Sequence, residues 1–169
     1  FPAIYSGMNA QPQIDPKAGP SELTFSLSHT AGLAVVAVTR NRSIGVDVEK
    51  KDRPVHSREL IHRFFSPEET AELGKLSPER LQNHFFLYWT LKEAYIKALG
   101  RGLSHPLGSF GFHLAGERPY RIGFSGTDLP VSGGLRFALI EPLAPYVAAV
   151  SVLSARPEPV VLRCYQAVL

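Results

Sequence analysis

The sequence predicts an α+β fold, and the order of its periodicities is the main reason. Strand-like segments occupy residues 23–51, helical periodicity runs through residues 57–99, and strand-like segments return from residue 108 onward. This grouped order favours α+β over alternating βαβ units. The chain also contains no internal repeat, low-complexity tract or heptad array, any of which would indicate a different architecture.

Composition limits the class of protein. The 169 residues suffice for one medium domain or two small lobes, and 44% hydrophobic with 20% charged residues is typical of a globular chain. No apolar run approaches the roughly 20 residues of a membrane span, and no signal-peptide pattern opens the chain. The single Cys164 excludes an internal disulfide framework and is expected to serve in packing. These features predict a cytoplasmic protein with no membrane partner.

The net charge of +3 is mild. It would suit an acidic partner or phosphates, but it does not indicate a nucleic-acid surface. Basic residues concentrate in one stretch, namely Lys50, Lys51, Arg53, Arg58 and Arg63. This stretch is either a solvated surface or a docking site for an acidic partner.

Alternation and turn residues locate the strands. Residues 1–22 have little periodicity and are predicted to be loop. In the first strand Leu23, Phe25 and Leu27 share one side, and the β-branched run over residues 32–40 predicts a buried strand. The predicted strands cover residues 23–30, 32–40, 43–51, 109–114, 120–124, 134–141 and 146–154.

Three helices are predicted between these strands. Residues 57–65 form a short helix, and Ser66 with Glu69 makes a capping box that begins the next one. The long helix lies within residues 78–99 and stops at Gly100. Its buried stripe consists of Leu87, Leu91, Ala94, Tyr95 and Ala98.

Two carboxylates lie on one side of the strand that contains "IGVDVE". Strand alternation places Asp47 and Glu49 on the same face, roughly 7 Å apart at the backbone, together with Gly45. A lone pair of this kind is more often a solvated strand face than a metal site. The glycine favours a ligand here, because a position without a side chain allows close approach to the backbone.

A third carboxylate, Glu93, lies on the long helix with lysines around it. Helical spacing places Trp89, Glu93 and Lys97 on one face. One interpretation is a surface ion pair worth a few tenths of a kcal/mol. The other is that Asp47, Glu49 and Glu93 hold Mg²⁺, which prefers a few carboxylates, waters and substrate phosphates, while Lys97 contacts a phosphate.

The remaining polar candidates have ordinary structural explanations. His29 follows Ser28 at a strand end, where a phosphate contact is possible, although a single histidine is more often a surface residue. Spacing alone favours capping over a chemical role for Glu69. The six histidines have no zinc-ligand spacing.

Four segments occur in the order found in one enzyme family: "FSLSHT", "IGVDVEK", "RFFSPEE" and "WTLKEAYIKALGRGL". The chain resembles the 4′-phosphopantetheinyl transferases over residues 24 to about 155, specifically the surfactin-synthetase-activating type. The spacing of G-x-D-x-E and W-x-x-K-E-A-x-x-K is highly specific for that family.

The resemblance implies a two-lobed α+β fold with pseudo-twofold symmetry and coenzyme A in the cleft between the lobes. Residues 1–42 would then be the C-terminal part of the first lobe, and that lobe would be incomplete in this chain. Residues 43–169 would be the second lobe, which carries the metal site.

The resemblance also implies a function. Such enzymes transfer the 4′-phosphopantetheine of coenzyme A to a serine of an acyl or peptidyl carrier protein, releasing adenosine 3′,5′-bisphosphate. These carriers serve fatty acid, polyketide or nonribosomal peptide biosynthesis. The alternative is a non-catalytic homologue or fragment that binds coenzyme A or a carrier without turnover.

The roles implied by the resemblance can be assigned residue by residue. Mg²⁺ would bind Asp47, Glu49 and Glu93, and Glu69 would lie near it as a further catalytic group. The coenzyme A contacts would be Lys92 and Lys97 at the pyrophosphate and Ser28 with His29 at the 3′-phosphoadenosine end.

Overall fold

The fold is seen in a computed structural model that describes residues 4–6, 12–14, 22–54, 57–101, 105–126, 134–155 and 159–167. In these residues the strands are β1 (Ile4–Ser6), β2 (Pro12–Ile14), β3 (Leu23–Thr30), β4 (Leu33–Arg40), β5 (Ser43–Lys50), β6 (Phe110–Ala115), β7 (Arg121–Gly126), β8 (Leu135–Ile140) and β9 (Tyr146–Leu153). The helices are α1 (Ser57–Phe64), α2 (Pro67–Leu73) and α3 (Pro78–Leu99). The predicted α+β class is confirmed.

The antiparallel sheet β5-β9-β8 and the long helix α3 form the core. Strand β9 is buried along its whole length, as expected for a central strand covered on both faces. Helix α3 packs directly onto β5 because Gly45 has no side chain. A Cβ atom there would lie 2.0 Å from the Ala94 carbonyl oxygen and 2.5 Å from the Ala98 nitrogen.

Strand β5 lies at the edge of this sheet, and the β3–β4 hairpin packs against it. Buried serine side chains on β3 face the β5 backbone. The Val46 amide donates to Ser26 Oγ at 3.0 Å, and the Val48 amide donates to Ser28 Oγ at 3.3 Å. The hydroxyls therefore satisfy edge amides that would otherwise lack partners.

Several apolar side chains of this hairpin are exposed. Leu23 and Leu27 are 46% and 41% exposed, and Val36 and Val38 of β4 are 58% and 59% exposed. Because Ser26 and Ser28 face β5, alternation turns the apolar side of β3 outward. The prediction of a fully buried strand over residues 32–40 is therefore wrong, since every second residue of β4 is exposed.

The structure contains the three predicted helices. Helix α1 ends one residue earlier than expected, α2 begins with the predicted Ser66–Glu69 capping box, and α3 ends at Gly100 in the left-handed conformation with φ of 67°. Cys164, expected to serve in packing, is instead exposed. Among the helices described, none is both long and apolar enough to cross a membrane.

Candidate active site

A cleft of about 410 Å³ opens between β3, β5 and α3. Its lining contains six residues that the sequence singled out, namely Ser28, His29, Asp47, Glu49, Glu93 and Lys97. Strand alternation turns Asp47 and Glu49 toward the helix, and helical spacing turns Glu93 and Lys97 toward the strand. Residues far apart in the chain thus meet in one place.

Asp47 is the most connected carboxylate of the cleft. Its Oδ1 atom accepts hydrogen bonds from Ser28 Oγ and from Lys97 Nζ, each at 2.8 Å. The ammonium of Lys97 also donates to the Val46 carbonyl oxygen at 3.1 Å. In the described part of the chain, the buried Oδ2 atom of Asp47 has no hydrogen-bond partner. Such an atom is costly to bury and leaves the carboxylate short of a partner.

The other two carboxylates of the cleft, Glu93 and Glu49, both have raised pKa values. Burial raises the pKa of Glu93 to about 7, and the negative charges of Asp47 and Glu49 add to this effect while Lys97 opposes it. Burial also raises the pKa of Glu49, whose Oε1 accepts from Arg53 Nη2 at 2.8 Å. The carboxylates therefore act on one another as like charges in a partly desolvated space.

This donor set suits a hard divalent cation such as Mg²⁺, since it offers only oxygen atoms and an open cleft. As the side chains stand, however, the described residues include no group of three Asp, Glu, His or Cys side chains arranged to hold a metal ion. In this arrangement Lys97 forms an ion pair with Asp47, and Arg53 forms an ion pair with Glu49. The unpartnered Oδ2 atom and the raised pKa of Glu93 nevertheless fit a site that gains from an added cation.

Lys92 does not line the cleft, contrary to the expectation that it contacts the pyrophosphate beside Lys97. Its side chain is fully buried, with Nζ 2.7 Å from Glu69 Oε2. The ammonium also donates to the carbonyl oxygens of Leu107 at 2.8 Å and Phe110 at 2.7 Å. Neighbouring residues on a helix point about 100° apart, so Lys92 faces the core while Glu93 faces the cleft.

Glu69 is likewise absent from the cleft lining. It is fully buried, accepts from the Ser66 amide as the capping box requires, and accepts from the Phe112 amide of β6. The capping prediction is confirmed, and the geometry adds an ion pair with Lys92. Glu69 therefore ties α2 to α3 and β6 rather than facing the other carboxylates.

Sequence reasoning missed three contributions to the cleft. Leu27 and Trp89 also line it, although the sequence assigned neither of them a role there. Trp89 also packs in the core, since its ring lies against Phe64 and Phe85 with centroids 5.8 and 5.7 Å away. Its position one turn before Glu93 was an available signal. Arg53, four residues after Glu49, could have been recognised as a pairing partner.

Comparisons with known proteins agree with the family resemblance of the sequence motifs. The family model of the 4′-phosphopantetheinyl transferase superfamily matches residues 43–150. The chain is 44% identical over 95 residues to 4′-phosphopantetheinyl transferase HetI of Nostoc sp., covering 56% of this chain and 40% of HetI. It is 38% identical over 90 residues to 4′-phosphopantetheinyl transferase Sfp of Bacillus subtilis, covering 53% of this chain and 39% of Sfp.

These alignments span about two fifths of each relative. They confirm the resemblance to the surfactin-synthetase-activating type. Among solved structures, a holo-(acyl-carrier-protein) synthase from Bacillus anthracis str. Ames in complex with CoA (3′,5′-ADP) has a TM-score of 0.53. It is 17% identical and covers 65% of this chain and 93% of that chain, so it supports the fold.

The family model extends from strand β5, which carries Asp47 and Glu49, through α3, which carries Glu93 and Lys97, and into β9. The matched region thus includes the strand and the helix that carry the acidic residues of the cleft, while β3 with Ser28 and His29 lies before it. The chain belongs to the 4′-phosphopantetheinyl transferase superfamily.

Proposed function

We propose that this protein transfers the 4′-phosphopantetheine of coenzyme A to a serine of an acyl or peptidyl carrier protein. The reaction uses Mg²⁺ and releases adenosine 3′,5′-bisphosphate. The observation that carries the proposal is the convergence of Asp47, Glu49, Glu93 and Lys97 on one cleft. A cytoplasmic location accompanies it, since the single Cys164 excludes an internal disulfide framework.

In this reaction the serine oxygen of the carrier forms a new bond to the phosphorus that bears the pantetheine arm. The bond from that phosphorus to the bridging oxygen breaks, and adenosine 3′,5′-bisphosphate leaves with the electron pair. Bound Mg²⁺ supplies charge neutralisation at the pyrophosphate and the departing phosphate.

The residues of the chain have separate tasks in this scheme. Asp47, Glu49 and Glu93 would hold the metal. Glu93 also accepts the serine proton, directly or through water. Lys97 binds a phosphate oxygen as a point charge. Ser28 and His29, on β3, bind the 3′-phosphoadenosine end.

The test is to incubate the protein with coenzyme A, an apo carrier protein and Mg²⁺, and to measure the mass of the carrier. We expect a gain equal to one phosphopantetheine group, lost when Mg²⁺ is chelated. Asp47→Asn, which keeps the side-chain shape but removes the charge, should abolish the gain. Binding of coenzyme A without any gain in carrier mass would instead support a non-catalytic homologue.

A further inference from the structure

Two cations belonging to the chain neutralise carboxylates of the cleft. Lys97 Nζ lies 2.8 Å from Asp47 Oδ1, and Arg53 Nη2 lies 2.8 Å from Glu49 Oε1. The two pairs differ in environment. The Lys97 and Asp47 side chains are 26% and 9% exposed, whereas the Arg53 side chain is 48% exposed. Because water screens it less, the Lys97–Asp47 pair is the stronger neutralising contact.

The Lys97 ammonium stands where it would oppose a metal ion. A divalent cation bound to Asp47 would lie about 2 Å from a carboxylate oxygen, while the ammonium contacts the same carboxylate. Two positive centres that close repel each other strongly in a partly desolvated cleft. Ser28 already donates to Oδ1, and the buried Oδ2 atom has no partner in the described chain. Lys97 therefore contacts only one of the two oxygen atoms of the Asp47 carboxylate, and the carboxylate as a whole can still bind a cation.

Lys97 can leave this position without any backbone movement. Its backbone is held by α3, which Gly45 places directly on β5. The ammonium is held by Asp47 Oδ1 and the Val46 carbonyl oxygen, and its flexible four-carbon stem is partly exposed. A change of side-chain rotamer is sufficient to move the charge away from Asp47.

We propose that Lys97 is an internal counter-ion that competes with the divalent cation for Asp47. Entry of the metal displaces the ammonium from Oδ1 and frees it to bind a phosphate oxygen. Metal entry thereby prepares the phosphate site, so the two ligands favour each other's binding. The inference rests on the proposed function, because it assigns the metal to this cleft.

The test measures binding of Mn²⁺ alone, without coenzyme A, by the electron paramagnetic resonance signal of the free ion. Lys97→Met should bind Mn²⁺ about tenfold more tightly than the wild type, since a competing charge is removed. Lys75→Met is the matched control, because it removes the same charge from an exposed residue outside the cleft lining. It should bind like the wild type, and Asp47→Asn should lose binding.

The outcomes separate the two proposals. If the wild type binds Mn²⁺ and Asp47→Asn does not, the metal site stands. If Lys97→Met then binds no more tightly than the wild type, the proposed competition is overturned. Binding detected only in Lys97→Met supports the competition. Failure of every variant to bind overturns both.

A second measurement uses the wild type and so does not depend on folding of a variant. The protein is treated with an amine-acylating reagent with and without Mg²⁺, and modification of each lysine is quantified by mass spectrometry. Modification of Lys97 should rise several-fold with Mg²⁺, while that of Lys75 stays constant. Unchanged or reduced modification of Lys97 overturns the proposal.

Discussion

The raised pKa of Glu93 makes the stability of the folded chain depend on pH. The pKa of this carboxyl in the folded protein is about 7, against an ordinary value of 4.5, because of burial first and the Asp47 charge second. The folded state thus binds this proton more tightly than the unfolded state. The corresponding stability is fully present below pH 4.5 and is lost as the pH rises through about 7.

We therefore predict that the free energy of unfolding falls between pH 5 and pH 8 more steeply in the wild type than in Glu93→Gln. The difference should be about 1–3 kcal/mol, reduced by solvent screening at this partly exposed side chain. Urea denaturation at each pH measures it. Parallel pH profiles for the two proteins would show that Glu93 does not carry the raised pKa.

At the scale of elements, contact between β5 and α3 sets the geometry of the site. We predict that Gly45→Ala loses about 1–3 kcal/mol of stability and most transfer activity, since the new methyl group would meet backbone atoms of α3. Gly123→Ala on β7 is the matched control, because its Cβ meets only ordinary contacts at 3.5 and 3.7 Å. Urea denaturation and the carrier-mass assay provide the readouts. A Gly45→Ala enzyme as stable and active as the control would contradict the proposed packing role.

The Lys92–Glu69 pair connects α3 to α2, and Glu69 also binds the β6 backbone. We predict that Lys92→Met costs about 3–5 kcal/mol of stability, because it leaves the buried Glu69 carboxylate unpaired. The double variant Lys92→Met with Glu69→Gln should recover part of this loss. Both should bind coenzyme A with near wild-type affinity while folded.

Denaturation curves and coenzyme A titrations distinguish this structural role from the substrate contact expected from the motif. A stable Lys92→Met protein with weakened coenzyme A binding would restore the original expectation. The pair cannot easily be recognised from the sequence, because 23 positions separate two residues that meet only through packing of α2 on α3.

At the scale of the whole molecule, the basic stretch contains two kinds of residue. Lys50, Lys51 and Arg53 pair with Asp52, Glu141 and Glu49, respectively. Arg58 and Arg63 are exposed on α1, and neither has an acidic partner within the described residues. Arg63 lies over the Phe64 ring, which contacts Trp89 at the cleft. The charged face of α1 therefore adjoins the cleft, where a carrier would deliver its serine in the proposed reaction.

We predict that reversing Arg58 and Arg63 to Glu raises the KM for an acidic carrier several-fold and leaves the KM for coenzyme A nearly unchanged. Charge at the rim acts mainly on the rate of encounter, so added salt should shrink the effect. The control reverses the exposed Arg121 and Arg136 on β7 and β8. Steady-state kinetics with each substrate varied in turn provides the measurement, and an equal effect of the two double reversals would exclude docking at α1.

The sequence by itself determined the local features of this protein. Strand alternation placed Asp47 with Glu49, helical spacing placed Glu93 with Lys97, and the Ser66–Glu69 capping box marked the start of α2. These features depend on neighbours within about one turn or one strand, so a single segment is enough to specify them. The motif order indicated the family, while the division into lobes at residues 42 and 43 stays a prediction.

Only the tertiary structure decided which side of each element faces the core. The serines of β3 turn inward because they satisfy the edge of β5, which leaves Leu27 and Val36 outside. Lys97 pairs with Asp47, fifty positions away, whereas Lys92 turns into the core. These outcomes depend on desolvation and on partners distant in the chain, quantities that no local period encodes.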